Sequence, residues 1–524
     1  MTPAQSSAPA PLDWEGKRSS HGDQKPMKED LARLAGHTLT YGMGQVLVRV
    51  ISMLLLPLFT TYLTPADYGV SAMLGLIAFV VTPIFGLGLG AVIGVFYYRS
   101  SELEHRAMVI WSGVAVLLVS SGLLMAGVVA FRSQISAAVF RSPRFADLIV
   151  ITIVGVCCSL ISTPLAMSFQ FERMARQYVI LSTLATAVGL LSSVVLVIFL
   201  GRGIRGLVEG TALAQAATLL LFVLPCARRI PPRVQMRTGT AMLRMGLAFV
   251  PSFAWLFLIQ HGNKYILERL GGVDTLGIYT LGFNLGIVSS IAVSGFQNAW
   301  MPYFMSFIDR REDGTRLFGR VMTYYVFGFG VMSLVFFAVA RPAVLILTQP
   351  AFHAAYLVVG CSAAAQFFTG IFSILLPPMY FANEVSYVSV VQGIAAVLAA
   401  AINWALILWF GLIGAAAGLA LGSVLLPLLQ YLWNVRRGER YIQPAYEWGR
   451  IGRFGLIYGA MAAAFMSYRT LALSLEITLA AAGSAVAVGA VVMLLSADER
   501  EAVRAGLREA SALIRRRRTS TVVA

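Results

Sequence analysis

Five polar side chains interrupt an apolar stretch near the start of the chain. His37, Tyr41, Gln45, Arg49 and Ser52 fall at i, i+4, i+8, i+12 and i+15, which places them on one face of a helix. Arg49 sits near the middle of that stretch. A guanidinium in hydrocarbon costs about 2.5–3.5 kcal/mol on insertion scales, so it needs a partner or water. Two readings fit: an Arg paired with a backbone carbonyl or with Glu209, or a cation facing an internal cavity. A second polar group gathers Gln260, His261, Asn263 and Lys264. Lys264 reads either as an interfacial anchor or as a second cation in the same cavity. Glu209 is the one acid placed clearly beyond a loop. It is a candidate proton or sodium site, a partner for Arg49, or an outer-interface residue. Weaker stripes follow: Ser290, Ser294 and Gln297; Gln366, Ser373 and Pro377; Ser389, Gln392 and Asn403. Hydrogen bonding between helices is the favoured use of each. Gly86, Gly90 and Gly94 read as a close-packing helix face rather than a phosphate loop.

Enzyme chemistry finds little support. There is no Gly-x-x-x-x-Gly-Lys-Ser/Thr loop and no His-Glu-x-x-His spacing, and no outer loop is long enough to hold a supported pair of carboxylates. The four cysteines (Cys157, Cys158, Cys226 and Cys361) lie inside apolar runs without metal-ligand spacing. No cofactor or metal is expected, and the chain reads as a carrier rather than an enzyme.

The elements that position these residues follow from composition. Of 524 residues, 58% are hydrophobic and 12% charged, with a mean hydropathy of +0.77. Soluble domains carry roughly twice that charge, so lipid is the main solvent. The net charge of +16 sits in short gaps between apolar runs rather than on a soluble face, which excludes nucleic acid as the partner. A span needs about 20 apolar residues. That ruler predicts fourteen, near 38–62, 70–96, 107–131, 147–168, 179–200, 206–227, 245–263, 275–300, 321–340, 357–381, 388–410, 412–433, 454–471 and 475–495. With both termini in the cytoplasm, inner segments hold 30 of the 40 Lys and Arg, outer segments nine, and Arg49 is the remaining one. The positive-inside rule therefore supports the count.

The chain also repeats. Ile204-Arg-Gly206-Leu-Val-Glu-Gly210 returns six spans later as Ile413-Gly414-Ala-Ala-Ala-Gly418. Tyr62-Leu-Thr-Pro-Ala-Asp-Tyr-Gly69 is echoed by Arg269-Leu-Gly-Gly-Val-Asp-Thr-Leu-Gly277. Six is even, so the halves enter the membrane in the same direction, a parallel repeat. The expected organisation is an all-α integral membrane protein with two six-helix lobes and two extra C-terminal helices. Residues 1–33 form a disordered cytoplasmic tail, 34–227 the first lobe, 228–244 a cytoplasmic linker, 245–433 the second lobe and 434–495 the extra pair. Residues 496–524 form a basic amphipathic tail on the inner leaflet, with anionic phospholipid as its partner.

Leu54-Leu-Leu-Pro57-Leu-Phe-Thr-Thr-Tyr-Leu-Thr-Pro65-Ala-Asp67-Tyr68-Gly69 resembles the signature of bacterial polysaccharide exporters. These are the lipid-linked oligosaccharide flippases of the multidrug/oligosaccharidyl-lipid/polysaccharide exporter superfamily. Lys264 to Tyr279 and Ala299-Trp-Met-Pro302 resemble that family's seventh and eighth spans, and the likeness covers about residues 34–495. The resemblance implies flipping of an undecaprenyl-diphosphate-linked glycan across the inner membrane, for O-antigen or exopolysaccharide synthesis. Arg49 would grip the diphosphate, and Tyr41, Gln45, Asn263, Lys264 and Gln297 would hold the rest of the head group. Related flippases keep an Arg in the first span, at the place of Arg49. Members often carry an acidic–basic pair where this chain has Asn263-Lys264. A polysaccharide polymerase and chain-length proteins are the implied partners. Two alternatives remain: a drug/cation antiporter of the same superfamily, which needs deep acids, and a membrane glycosyltransferase or polymerase, which needs an outer domain.

Overall fold

The computed structural model describes residues 51, 53–172, 174–247, 250, 252–305, 307, 311–382, 384, 386–467, 473–496 and 499–500. Within them the chain is helical throughout. Helices α1 (Leu56–Tyr62), α2 (Pro65–Phe85), α3 (Leu89–Tyr97), α4 (Leu103–Phe140), α5 (Ala146–Phe171), α6 (Ala175–Val194) and α7 (Gly203–Arg229) build the first half. A short helix, α8 (Met236–Leu247), leads to α9 (Ser252–Gly286), α10 (Ser290–Met305), α11 (Arg311–Leu347), α12 (Tyr356–Ile374), α13 (Pro377–Phe381) and α14 (Ser386–Arg436). Two helices, α15 (Trp448–Ser467) and α16 (Leu473–Leu494), close the described chain.

Ten helices among the described residues are long and apolar enough to cross a membrane. Two of them are hairpins. In α9 the backbone leaves helical geometry at Gly272 (φ 80°), and in α14 at Gly411 (φ 54°). The side chains confirm that the chain turns back. Asn263 donates to the Tyr279 hydroxyl although 16 residues separate them. Asn403 reaches the Gly418 carbonyl across 15 residues at 3.4 Å. On a straight helix these pairs would stand more than about 20 Å apart, at 1.5 Å per residue. Each hairpin thus supplies two passes. With α15, thirteen of the fourteen predicted spans are accounted for among the described residues; α1 is the described end of the first, most of which lies outside them. Lys264 consequently lies about 12 Å, eight residues of helix, from the Gly272 reversal. The seventh span does not stop near 263.

Local sequence explains where the second span begins and where it breaks. Thr64 and Asp67 cap α2 reciprocally: the Asp67 N–H donates to Thr64 Oγ1 at 3.2 Å, and the Thr64 N–H to Asp67 Oδ2 at 2.9 Å. Pro65 occupies the first turn, where its missing N–H costs nothing. The span then breaks at Leu87 and Gly88, both left-handed (φ 53° and 65°), one turn after Pro83. The expectation of one Gly86–Gly90–Gly94 packing face is therefore corrected. Gly86 lies before the break and packs near Leu160, Gly94 packs beside Phe171, and Gly90 between them faces open space, so the three form no single packed ridge.

The segments richest in Arg and those poor in it lie at opposite ends of the bundle, a basic end and an Arg-poor end. At the basic end each half closes on a similar ion cluster. Arg229 at the end of α7 pairs with Glu172, which also accepts from the Tyr97 hydroxyl at 3.2 Å. Arg440 beyond α14 pairs with Glu384, which accepts from the Tyr441 hydroxyl at 2.7 Å. Both glutamates follow the fourth span of their half and both arginines follow the sixth, as a parallel repeat requires. The expected linker contains α8, which runs past 244 and is fastened to the first half. Gly239 packs on Val116, Ser112 exchanges hydrogen bonds with Gln235 at 2.9 and 3.1 Å, and Trp111 donates to the Ile230 carbonyl at 2.9 Å.

The two extra helices are held to α11 at both ends. A half-buried Arg341 of α11 pairs with the buried Glu476 of α16 near the Arg-poor end. At the basic end Arg450 of α15 binds Glu499 at 2.6 Å and the Leu494 carbonyl at 2.9 Å, while Tyr324 of α11 donates to Glu499 at 2.9 Å.

Candidate functional site

Helix α2 packs along α9, and these two carry the junction between the halves. One continuous apolar core joins Val70, Met73 and Leu74 of α2 to Ile266, Leu267, Leu276 and Tyr279 of α9 and Ile149 and Ile153 of α5. Burial on this scale holds the halves closed against each other at the Arg-poor end in this conformation. Towards the basic end the two spans part. Their continuations, α3 and α10, are not packed extensively on one another; α3 instead meets α8 and α4.

Helix α10 shows why. One of its faces is aromatic and buried: Trp300 donates to the Ser373 carbonyl at 3.0 Å, Phe296 lies against Tyr325 with ring centres 4.7 Å apart, and Phe304 is fully covered. The other face is small and polar, with Ser294, Gly295, Asn298 and Ala299 exposed. On the α2–α3 side Thr82 and Gly90 are exposed in the same way. Serine and asparagine at membrane depth face water or protein rather than lipid. The two spans thus carry small and polar exposed residues where they diverge towards the basic end.

Lys264 lies where the spans come together. Its residue is only 8% exposed, and its Nζ stands 4.5 Å from the centre of the Phe283 ring. Among the described residues no carboxylate pairs with it. Beside it Asn263 spends its amide N–H on Tyr279, leaving its own buried Oδ1 without a hydrogen bond, and His261 packs edge-on against Phe79 of α2 at 4.2 Å. A cation-π contact offsets part of the cost of burying an ammonium but supplies no counter-charge. The arrangement leaves a positive charge at the junction of the two halves with no carboxylate partner among the described residues.

The other expected site residues fall elsewhere or outside view. Arg49, Gln45 and Tyr41 lie outside the described residues. Gln297 donates to Ser373 Oγ at 2.8 Å and so ties α10 to α12. Glu209 sits in the second turn of α7, held by Arg202 Nη1 at 2.7 Å and, one turn back on the same helix, by Arg205 Nε at 2.9 Å. That is the geometry of an interfacial ion cluster. Asn298 was missed by the sequence reading, although it continues the spacing Ser290, Ser294 by one more turn; Gln297 was chosen at i+3 instead. Glu268 was missed too. It is 6% exposed, with Arg269 Nε at 3.5 Å and one oxygen lacking a hydrogen bond. Its burial follows from the seventh span's extension to Gly272.

A family model described as polysaccharide biosynthesis protein matches residues 34–308, more than half of the chain. The chain belongs to that family. No curated protein sequence matches it. Among solved structures, this polysaccharide biosynthesis protein is similar to the lipid II flippase MurJ in an inward closed conformation. The TM-score is 0.64 at 12% identity, over 86% of this chain and 98% of that one. It is also similar to an inward-facing multidrug resistance MATE family transporter of the MOP superfamily, with a TM-score of 0.57, 14% identity and coverage of 75% and 98%. A third is a MOP superfamily transporter from Pyrococcus furiosus whose binding pocket is described as having reverse polarity, with a TM-score of 0.53, 14% identity and coverage of 76% and 93%. At these identities the likeness establishes the fold: this member of the polysaccharide biosynthesis family is a multi-pass helical membrane protein built like MOP superfamily transporters.

Proposed function

We propose that the protein flips a lipid-linked oligosaccharide, an undecaprenyl-diphosphate-linked glycan, across the bacterial inner membrane. The basic end then faces the cytoplasm, where the positive-inside rule puts it. The observation that carries this reading is Lys264: a buried ammonium without a carboxylate partner among the described residues, placed where two lobes of a transporter fold converge. A diphosphate is the complementary charge. Arg49 is proposed as the second cation, a fork that can grip phosphate oxygens in pairs. Ser294 and Asn298 offer hydrogen bonds to a hydrated sugar in a cleft between the lobes, and the lipid tail stays in the bilayer beside it. Rocking of the lobes carries the head group to the Arg-poor side. The fold of a MurJ-like flippase and membership of the polysaccharide biosynthesis family both support this choice. Anionic phospholipid at the basic end, and polymerase and chain-length proteins, are the partners it implies. A drug/cation antiporter would need the opposite charge at the convergence. Glu268 lies one turn from Lys264 on α9, but Arg269 stands beside it at 3.5 Å and offsets its charge, whereas Lys264 has no carboxylate partner among the described residues.

The test is reconstitution. Vesicles carrying the purified full-length protein and an undecaprenyl-diphosphate glycan should make inner-leaflet sugar accessible to an external lectin. In cells, deletion of the gene should leave that lipid-linked sugar on the cytoplasmic leaflet. Absence of both effects rejects the assignment.

A further inference from the structure

At the Arg-poor end the halves meet backbone to backbone. A Cβ placed on Gly69 would overlap the carbonyl oxygen of Val273, and a Cβ on Gly277 would overlap the carbonyl oxygen of Pro65. Pro65 stands four residues before Gly69, and Val273 stands four before Gly277. Each corner thus presents its glycine to the carbonyl that the other corner offers at the matching place. Such reciprocity is the mark of a self-complementary contact about a two-fold axis, here within one chain. The neighbouring contacts between halves are neutral or local: Tyr68 lies edge-on to Phe352 at 5.1 Å, Gln349 donates to Thr61 Oγ1 at 3.1 Å, and Arg269 donates to the Ala138 carbonyl at 2.9 Å. All are contacts that two rigid bodies can make and break.

We propose that Gly69 and Gly277 are the bearing of a gate at this end. The gate is seated here. It parts when the cleft opens to the Arg-poor side, and the missing side chain at both positions sets how fully it closes. This rests on the reading that the lobes rock, but not on which lipid is carried. Adding one methyl at either glycine pushes a carbonyl away and lifts the whole corner, because packed backbones do not yield locally.

The test uses the full-length protein in lipid nanodiscs, with the four native cysteines replaced by alanine and with Thr61→Cys and Gln349→Cys introduced. Oxidative cross-linking of that pair reports the closed gate. Gly69→Ala and Gly277→Ala should each slow cross-linking at least tenfold. Gly75→Ala, on the same helix but facing open space, should leave the rate unchanged. The double variant should fall short of the product of the single effects, since both perturb one contact. Cross-linking at the parental rate in a folded Gly69→Ala or Gly277→Ala protein overturns the proposal. Should neither variant fold, the parent still decides: cross-linked protein must stop flipping and recover on reduction, and flipping through a sealed gate would refute it. Failure to flip any glycan in the uncross-linked parent would instead count against the substrate assignment alone.

Discussion

Lys264 shows how little of a membrane site can be read from residue type alone. In sequence it closes a polar tetrad and reads equally well as an anchor at the interface. What decides its character is the length of helix beyond it: eight further residues to Gly272 carry the ammonium below the interface and against Phe283. Replacing it tests the charge. Lys264→Met keeps the bulk and removes the cation; glycan flipping in vesicles should fall at least tenfold with no loss of thermal stability, because an unpaired buried ammonium costs the fold rather than supporting it. Lys264→Arg should retain part of the activity. Equal flipping by the Met variant would take Lys264 out of the site. Arg49 remains its proposed companion. The Asn298 position teaches a similar lesson. Its type and spacing were visible, but Gln297 and Asn298 are one residue apart, and only the aromatic packing of α10 on α12 fixes which of them turns away from the protein.

At the level of helices, hydropathy and charge revealed almost every span, because a lipid-crossing segment has few ways to satisfy its backbone. The reversals and breaks were less visible. Gly411 lies in a hairpin too tight to show a polar gap, and its trace is a glycine where the chain needs a positive φ; around Gly272, also at positive φ, the polar residues show that the chain turns but set the end of the seventh span too early. Gly272→Ala should therefore destabilise the seventh–eighth hairpin by about 1–3 kcal/mol, the range for forcing a side chain into such backbone. A fall in the melting temperature of detergent-solubilised protein checks this, with Gly75→Ala as the neutral comparison. The break at Leu87–Gly88 is another case. Its sequence, with Gly86, Gly90 and Gly94 in register, suggests an unbroken packing ridge; Pro83 and the close approach of Gly88 to Gly246 decide otherwise.

Across the whole molecule, the parallel repeat was legible from two short echoes, and it reappears as matched ion clusters at the basic end and a reciprocal contact at the other. The docking of the extra helices was not legible, since its partners lie far apart in sequence: Tyr324, Arg450 and Glu499 meet only in the fold. The hydrogen bond from Arg450 holds the Glu499 carboxyl at about 2, against the opposing effect of burial and below the ordinary 4.5, with the Ser496 N–H and Tyr324 hydroxyl helping. A carboxyl depressed in this way contributes stability in full above its ordinary range and loses it as pH falls towards the folded value. The melting-temperature gap between wild type and Glu499→Gln should accordingly stay constant from pH 7 to about 5.5 and shrink steadily below about 4.5. A gap that stays constant down to about pH 3 would deny the pairing any role in holding the extra helices.

The attachment of α8 sets a limit on travel. That helix is bolted to the first half through Trp111, Ser112 and Gly239, yet it ends at Leu247, only five residues before the start of α9 at Ser252. Five fully extended steps reach about 18 Å and no further. The junction is thus a short leash rather than a slack tether: whatever rearrangement the two halves undergo, the first turn of α9 must stay within that radius of the first half.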